Sequence, residues 1–277
     1  MGRSEECDYP ADVQSLPIVM RARTWDAERP SAEIDRRVQA TRGQNESLYE
    51  LDIPLLRSLR PDVLLTQDLC GVCSVTDAEV AAACEIAGVS PRIVSLSPRN
   101  LEEVWGSIET VGEALGAGER AREFTEALRQ RARPVASELS GPSVAVIEWL
   151  DPPILAGLWA PDMVVAAGGT PLHGPSGSTG DRTSWSAIRD RRPDLVVVSP
   201  CSFSVPRTQR ELLDPAIADG LASLRPARGI FVADEAYFSR PGPRLADGVE
   251  LVRHLLRRES WTPPMTVEPW SAGTVTA

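Results

Sequence analysis

The sequence contains no lysine: all 29 of its basic residues are arginine, against 39 acidic residues. Without lysine, neither the usual Schiff-base attachment of pyridoxal phosphate nor the phosphate-binding lysine of a P-loop is possible. The formal net charge of −10 argues against nucleic acid and against an anionic membrane surface as main partners. The sequence therefore argues against pyridoxal-phosphate enzymes, P-loop proteins and proteins that bind nucleic acid or anionic membranes.

Long apolar runs and common catalytic motifs are also missing. No stretch approaches the roughly 18 apolar residues that a membrane-spanning helix needs. The first seven residues contain no apolar segment of a secretory signal, which predicts a cytoplasmic protein, or an exported one if a leader precedes this sequence. There is no HExxH or GxSxG motif, and two histidines leave little room for a Ser/His/Asp triad. Whether the protein is an enzyme stays open at this point.

Short apolar runs alternate with helical patterns along the chain. The runs predict buried strands, and they cover residues 62–66, 92–96, 143–148, 194–199 and 229–233. Helical patterns begin near Ser31, Thr76 and Asn100, each of which can cap a helix. Continuous apolar strands between helices are typical of parallel sheets that are covered on both faces. The sequence therefore predicts an α/β protein with parallel sheets.

A helical stretch separates two βα groups. We predict an N-terminal α/β lobe over residues 1–96, a linking helix over 97–140, and a C-terminal α/β lobe over 141–277 that ends in an irregular tail. Two parallel-sheet lobes joined by one long helix would leave a ligand cleft between the lobes.

The five cysteines suggest a metal site. Their odd number, in a chain without a leader, argues against a disulfide framework. Cys70 and Cys73 form a CxxC pair directly after a predicted strand, and Cys201 follows another, where loops line the ligand crevice of parallel sheets. With Cys7, these thiolates could hold zinc or an iron–sulfur cluster, and a set of three would leave one position for a substrate or water. Inert thiols and redox or nucleophilic use are the alternatives, and Cys84 is expected to be a buried apolar residue.

Several segments, in order along the chain, resemble the vitamin B12-receptor branch of the class III, helix-linked periplasmic solute-binding proteins. They are residues 2–10, 48–52, 59–62, 66–73, 148–153, 157–163, 167–169, 199–203 and 240–245. The resemblance covers roughly residues 2 to 258. It implies a rigid helical connection between two lobes, a cleft that holds a corrinoid, heme or siderophore-like chelate, and a first cleft loop that contains Cys7 and Tyr9.

This sequence departs from those relatives in two ways. They usually begin with one more strand and helix, so we expect either that the start of this sequence is misplaced or that its first lobe is reduced. Those that deliver B12 to a transporter are exported, so a transporter partner is not expected without a leader.

Other candidate ligand-binding residues lie in the second lobe. Trp149 and Trp159 could form an aromatic wall for a flat macrocycle, or they could serve core packing. His173, in a Gly/Pro/Ser-rich loop expected to be mobile and exposed, could ligate a corrinoid cobalt, act as an acid or base, or be solvated. Arg240, with Arg244, could contact an anionic ligand or stabilise a turn.

Two acidic residues near these tryptophans are weaker candidates. Glu148 and Asp151 could bind a cation or transfer protons, or they could be solvent-facing loop groups.

These residues support two main hypotheses. The first is a soluble binding protein for a small molecule, a corrinoid or another metal chelate, with a cysteine-lined cleft. The alternative is an intracellular metalloprotein or enzyme that holds a thiolate-bound metal or iron–sulfur cluster at that cleft. A sensing module whose lobes close on a small ligand is a third.

Overall fold

The computed structural model describes residues 1–23, 29–43, 48–67, 76–135 and 141–272. The chain divides into two compact units. Unit 1 consists of Met1–Arg29, Glu33–Ser97 and Glu109–Ala121, and unit 2 of Pro30–Ala32, Pro98–Ile108 and Arg122–Ala277. Residues 97–140, expected to form a separate linker, are therefore divided between the two units.

Unit 1 contains two small sheets. Its strands are β1 (Arg3–Ser4), β2 (Ile18–Ala22), β3 (Tyr49–Leu51), β4 (Val63–Gln67) and β5 (Arg92–Leu96). Its helical elements are a 3₁₀ turn (Ala11–Ser15), α2 (Ile53–Leu59), α3 (Asp77–Ala87) and all but the first two residues of α1 (Ser31–Gly43), which belong to unit 2. β1 pairs parallel with β2 and β3 antiparallel with β2, while β4 and β5 form a separate parallel pair.

The local sequence explains where the elements of unit 1 begin and end. Thr76 starts α3 with a complete capping box, in which Thr76 and Glu79 satisfy each other's backbone N–H groups. Gly88, in the left-handed conformation, ends α3. The core of the unit forms where α2 packs against α3, around Leu56, Val80, Ala83, Cys84 and Ala87, with residues of β2, β3 and β4 against it.

The predicted single linking helix is two helices, α4 (Leu101–Ala114) and α5 (Gly118–Arg131). Asn100 caps α4 by accepting a hydrogen bond from the backbone N–H of Glu103, as its position predicted. Gly116 has a φ of +72°, a left-handed conformation that ends a helix. A Cβ atom at Gly112 would collide with the Cβ of Ala121, so the two helices approach closely beside this turn.

Unit 2 is built on one larger sheet. Its strands are β6 (Ser143–Leu150), β7 (Pro153–Leu155), β8 (Thr170–Pro171), β9 (Asp181–Arg182), β10 (Leu195–Val198), β11 (Ile230–Ala233) and β12 (Val267–Trp270). Its further helices are α6 (Ala160–Ala166), α7 (Trp185–Asp190), α8 (Val205–Glu211), α9 (Pro215–Ala222) and α10 (Leu245–Arg257), with a 3₁₀ turn at Glu235–Tyr237.

The strand order of this sheet is β12-β11-β10-β6-β7-β9, with β8 also beside β6. β8, β6, β10 and β11 are parallel, whereas β7, β9 and β12 pair antiparallel with their neighbours. All four residues of β10 are fully buried, as expected for a central strand that is covered on both faces. The carboxyl ends of β6, β10 and β11 therefore lie along one edge of the sheet.

The tail is more ordered than its sequence predicted. Residues from Ser260 onward were expected to be irregular, but β12 pairs with β11 at the edge of the sheet. Pro269 is compatible with that position because proline is tolerated on edge strands. Trp270 packs on the apolar core of unit 2, which gives the tail a reason to order.

The observed class agrees with the sequence prediction: the protein is α/β, with parallel central strands and helices between them. Membrane-spanning helices are absent from the described ranges, because none of the helices there is sufficiently long and apolar.

Candidate functional site

The turn that follows β10 is joined to strand β6 by backbone hydrogen bonds. The N–H of Ser199 donates to the carbonyl of Ile147 at 2.9 Å, and that of Cys201 donates to Glu148 at 3.0 Å. Directly afterwards, Ser202 takes a φ of +60°. A left-handed conformation at a residue other than glycine is mildly strained, and such strain is frequent at functional sites.

A carboxylate ties this turn to the loop after β11. The Glu235 side chain accepts a hydrogen bond from the backbone N–H of Ser202 at 2.5 Å. Its other oxygen pairs with the guanidinium of Arg240, also at 2.5 Å. The turn after β10 is thus fixed both to strand β6 and to the loop after β11, and Arg240 is held partly exposed at this edge.

The indole of Trp149 lies at the same edge. Its ring contacts that of Phe203 with centroids 5.3 Å apart, and Phe203 is fully buried. Phe203 in turn lies under the guanidinium of Arg207, 4.3 Å from the ring centroid. Trp149 is partly exposed. We call Trp149, Cys201, Ser202, Glu235 and Arg240 the carboxyl-edge site.

Trp159 is not part of this site. Its side chain is buried, and its indole N–H donates to the carbonyl oxygen of Phe238 at 2.6 Å. Of the two roles that the sequence left open for Trp159, the structure favours core packing over an aromatic wall.

His173 lies between β8 and β9, and its side chain is 13% exposed, which does not favour the alternative of a fully solvated loop residue. Its Nε2 is 2.8 Å from the carbonyl oxygen of Thr179 and 3.3 Å from the Oγ of Ser178. Its Nδ1 is 3.9 Å from the carboxylate of Asp181. A carbonyl oxygen can only accept, so Nε2 carries the proton in the neutral ring. Nε2 is then available neither to ligate cobalt nor to act as a base, whereas Nδ1 is the unprotonated nitrogen of the neutral ring. A ligand-binding role for His173 stays a prediction.

The ring of His173 lies between Ser178 and Asp181, as in a catalytic triad, but the hydrogen bonds are not those of a triad. A triad needs an unprotonated His nitrogen facing the serine hydroxyl. Here the Oγ of Ser178 donates to the carbonyl of Pro175 at 2.6 Å. These contacts stabilise the loop.

The same loop is tied to the start of α4, although its composition predicted a mobile segment. The Asp162 carboxylate accepts hydrogen bonds from the Oγ of Ser176 and the backbone N–H of Leu101, both at 2.9 Å. The guanidinium of Arg99 donates to the carbonyl of Gly177 at 2.9 Å.

The three cysteines within the described residues differ in how exposed they are. Cys7 is exposed in unit 1, with its Sγ 3.0 Å from the Oγ of Ser4. Cys84 is buried in the core of unit 1, as predicted, and burial raises the pKa of its thiol. Cys201 is partly buried in unit 2. Cys70 and Cys73 lie outside the described residues. Over the described ranges, no three His, Cys, Asp or Glu side chains are arranged to hold a metal ion.

Tyr9 and Cys7 share a loop of unit 1. Tyr9 is 53% exposed. The guanidinium of Arg3 donates to the carbonyls of Glu5, Cys7 and Gln14, which fixes the shape of the loop. A ligand-binding role for Tyr9 stays a prediction.

Glu148 and Asp151 lie at the end of β6. Glu148 is partly exposed and Asp151 is exposed. A Cβ atom at Gly180 would collide with the Glu148 carboxylate, so that side chain lies against the backbone of the neighbouring loop. This contact favours a loop-stabilising role for Glu148.

Sequence reasoning missed Ser202 and Glu235. Glu235 follows the predicted strand 229–233, so the rule that selected Cys201 could also have selected Glu235. Ser202 carries no such signal, because its left-handed backbone is set by the surrounding contacts and serine is not a residue that favours it.

No family model and no curated protein matches the sequence. Solved structures do match. A periplasmic heme-binding protein from Pseudomonas aeruginosa is 20% identical, with 98% of this chain and 89% of that chain covered and a TM-score of 0.67.

Two further structures have similar values. The periplasmic vitamin B12-binding protein BtuF of Vibrio cholerae is 16% identical over 93% of this chain and 88% of its own, with a TM-score of 0.59. The periplasmic heme-binding protein RhuT from Roseiflexus sp. RS-1 is 21% identical over 92% and 89%, with a TM-score of 0.58. The resemblance noted in the sequence is thus confirmed in the fold: this chain has the two-lobe, helix-linked fold of the class III periplasmic solute-binding proteins.

Proposed function

We propose that this protein binds a planar metal chelate, a heme or a corrinoid, at the carboxyl-edge site. The fold supports this proposal, since the matched structures are described as heme- and B12-binding proteins. Fold alone does not define a ligand, so the proposal rests on the chemistry of the site.

The observation that carries the proposal is Trp149, a partly exposed residue whose indole ring contacts buried Phe203. A flat macrocycle buries a large apolar area when it stacks on an indole. Because Phe203 contacts the indole and is itself held by Arg207, little side-chain freedom would be lost on binding.

Two neighbouring groups extend this chemistry. The guanidinium of Arg240 can pair with a carboxylate of the ligand while Glu235 holds it in place. The thiol of Cys201 is a soft donor that can ligate the central metal, as cysteine thiolate does in some heme proteins.

Absorbance titration with hemin and with cobinamide tests the proposal. We expect a saturable spectral change with at least one of them in the wild type. Trp149→Ala should weaken binding about tenfold, which corresponds to ~1.4 kcal/mol. Trp261→Ala is the matched control, because this tryptophan is also partly exposed and stacks on His254 in the same unit.

A second pair of variants examines Cys201. If its thiolate ligates the metal, Cys201→Ser shifts the absorption bands of the bound chelate, whereas Cys84→Ala leaves them unchanged. No spectral change with either chelate at high micromolar concentration would overturn the proposal.

The location of the protein decides whether it can serve a transporter. The matched structures are described as periplasmic, which supports an exported protein, whereas the sequence predicted a cytoplasmic one. Fractionation of the native cells, followed by immunodetection of the full-length protein, distinguishes these two locations.

A further inference from the structure

An arginine-rich groove lies at the opposite end of the sheet from the carboxyl-edge site. It forms where the chain leaves α7 to enter β10 and where it leaves α9 to enter β11. Buried Pro193 and Leu224 line it, together with exposed Arg189, Arg192 and Arg225. We call this surface the arginine groove.

Two of these arginines have no partner among the residues that the structure describes. No hydrogen bond or ion pair engages the guanidinium of Arg192 or that of Arg225 within those ranges. Both residues take a left-handed backbone, with φ of +51° and +44°. Glycine or asparagine is the usual choice at such turns, so arginine at both positions adds exposed positive charge at some conformational cost.

The acidic residues of the groove offset only part of this charge. Asp190 pairs with Arg189 at 3.3 Å, and both side chains are exposed. The Asp194 carboxylate accepts hydrogen bonds from the backbone N–H and the Oγ of Ser143, at 2.8 and 2.9 Å. The Ser143 donors are neutral, so Asp194 keeps its charge, but three arginines line the groove against two aspartates and positive charge remains in excess.

A further arginine reaches the rim. The guanidinium of Arg258 donates to the carbonyl of Ala227, which lines the groove, at 2.7 Å. The groove is thus a basic surface on a protein whose net charge is −10.

We propose that the arginine groove binds an acidic peptide segment of a partner protein. Guanidinium groups pair with carboxylates in a planar, two-pronged geometry, which suits Asp and Glu side chains. The concave shape and the apolar contribution of Pro193 and Leu224 fit a single extended chain better than a flat membrane surface. The overall negative charge of the protein disfavours indiscriminate binding of anions, so attraction has to come from this local surface.

Fluorescence anisotropy with a labelled deca-glutamate peptide tests this proposal on the full chain. We expect binding at low ionic strength that weakens as salt is added, because exposed charges are screened. Arg192→Glu combined with Arg225→Glu should weaken binding at least tenfold.

The control is the double variant Arg60→Glu with Arg120→Glu, which makes the same change in net charge. Arg60 is a close match for the groove residues, since it is exposed, precedes a proline and has a φ of +42°, but it lies in unit 1. This control should change the affinity less than twofold. Unfolding curves of both double variants check that each is folded.

Three outcomes would overturn the proposal: no peptide binding by the wild type at low ionic strength, an equal loss in both double variants, or binding to phosphatidylglycerol vesicles without binding to the peptide. Trp149→Ala should bind the peptide as the wild type does, so the result is independent of the chelate proposal.

Discussion

At the scale of single residues, Cys84 and Cys7 differ in burial and therefore in reactivity. Burial raises the pKa of the Cys84 thiol, so less of the nucleophilic thiolate is present at any given pH. Cys7 is exposed. We expect iodoacetamide to modify Cys7 in the native protein and Cys84 only on unfolding, as measured by mass spectrometry of digested samples. Equal modification rates in the folded protein would contradict this assignment.

The sequence also predicted that cysteine thiolates hold a metal, as the alternative to a chelate-binding protein. Cys70 and Cys73 lie outside the described residues, so this set stays a prediction. If these thiolates bind zinc or an iron–sulfur cluster, anaerobically purified wild type contains stoichiometric metal, and Cys70→Ser loses it. Metal and sulfide analysis of both proteins, with Cys84→Ala as the control, decides this. Metal-free wild type would rule the set out.

The buried side chain of Glu211 links helix α8 to the first residue of α1, and both lie in unit 2. Its carboxylate pairs with Arg207 at 2.8 Å and accepts the backbone N–H of Ser31 at 2.6 Å. The Arg207 and Glu211 side chains are only 8% and 6% exposed. Removing one partner of a buried pair leaves an uncompensated charge, so Glu211→Ala should lower the free energy of unfolding by about 3 kcal/mol, measured with urea.

Two further variants show whether the loss of stability in Glu211→Ala arises from the unpaired charge of Arg207. Replacing both partners, Arg207→Met with Glu211→Leu, should recover part of the lost stability because no buried charge remains unpaired. Asp190→Ala removes the exposed partner of Arg189 and should change stability by less than about 0.5 kcal/mol. Equal losses in Glu211→Ala and Asp190→Ala would show that burial of the pair does not matter.

At the scale of elements, the sequence correctly predicted the strands and helix starts that depend on short local patterns. The strand run after Pro61, the capping box at Thr76 and the cap at Asn100 appear where the sequence placed them, because their signals lie within a few residues. β12 was missed because Val267, Glu268, Pro269 and Trp270 have no local strand signal. Its pairing depends on the exposed edge of β11, which is distant in sequence.

The carboxyl-edge site was predicted in part for the same reason. Three of its residues could be chosen as candidates because they lie at the ends of recognisable strands or in a turn: Trp149, Cys201 and Arg240. The link through Glu235 and the strained backbone of Ser202 depends on contacts between separate loops, which a sequence pattern does not contain.

Tyr237 anchors the tail that carries β12. Its hydroxyl donates to the carbonyl of Met265 at 2.9 Å and accepts the N–H of that residue at 3.0 Å. Burial raises the pKa of Tyr237 to about 12. The folded state therefore retains this proton while the unfolded state, with an ordinary tyrosine pKa near 10, loses it. Stability from this group is complete below about pH 10 and falls as the pH rises towards 12.

Tyr237→Phe isolates this effect. The variant should be less stable near neutral pH, because it leaves the N–H of Met265 without its partner. Between pH 10 and 12 its stability should fall less steeply than that of the wild type, as followed by urea unfolding at several pH values. Tyr9→Phe changes an exposed tyrosine and should leave the slope unaltered. Identical slopes in wild type and Tyr237→Phe would show that Tyr237 does not govern alkaline stability.

At the scale of the whole molecule, the two units differ in how they bury apolar residues. Unit 2 packs a large core on its single sheet, whereas unit 1 has a smaller core beside two short sheets. Proteins with separate compact units often unfold in more than one step. We expect calorimetry of the full chain to show two transitions, the one at lower temperature belonging to unit 1.

The carboxyl-edge site lies within unit 2, so a bound chelate should act on the two transitions unequally. A ligand at about 100 times its dissociation constant stabilises its binding unit by ~2.7 kcal/mol, which would shift the unit 2 transition upward. The shift should shrink in Trp149→Ala and persist in Trp261→Ala. A chelate that shifts only the unit 1 transition would place its binding residues on unit 1, where Tyr9 and Cys7 lie, and would contradict the assignment to Trp149 and Arg240.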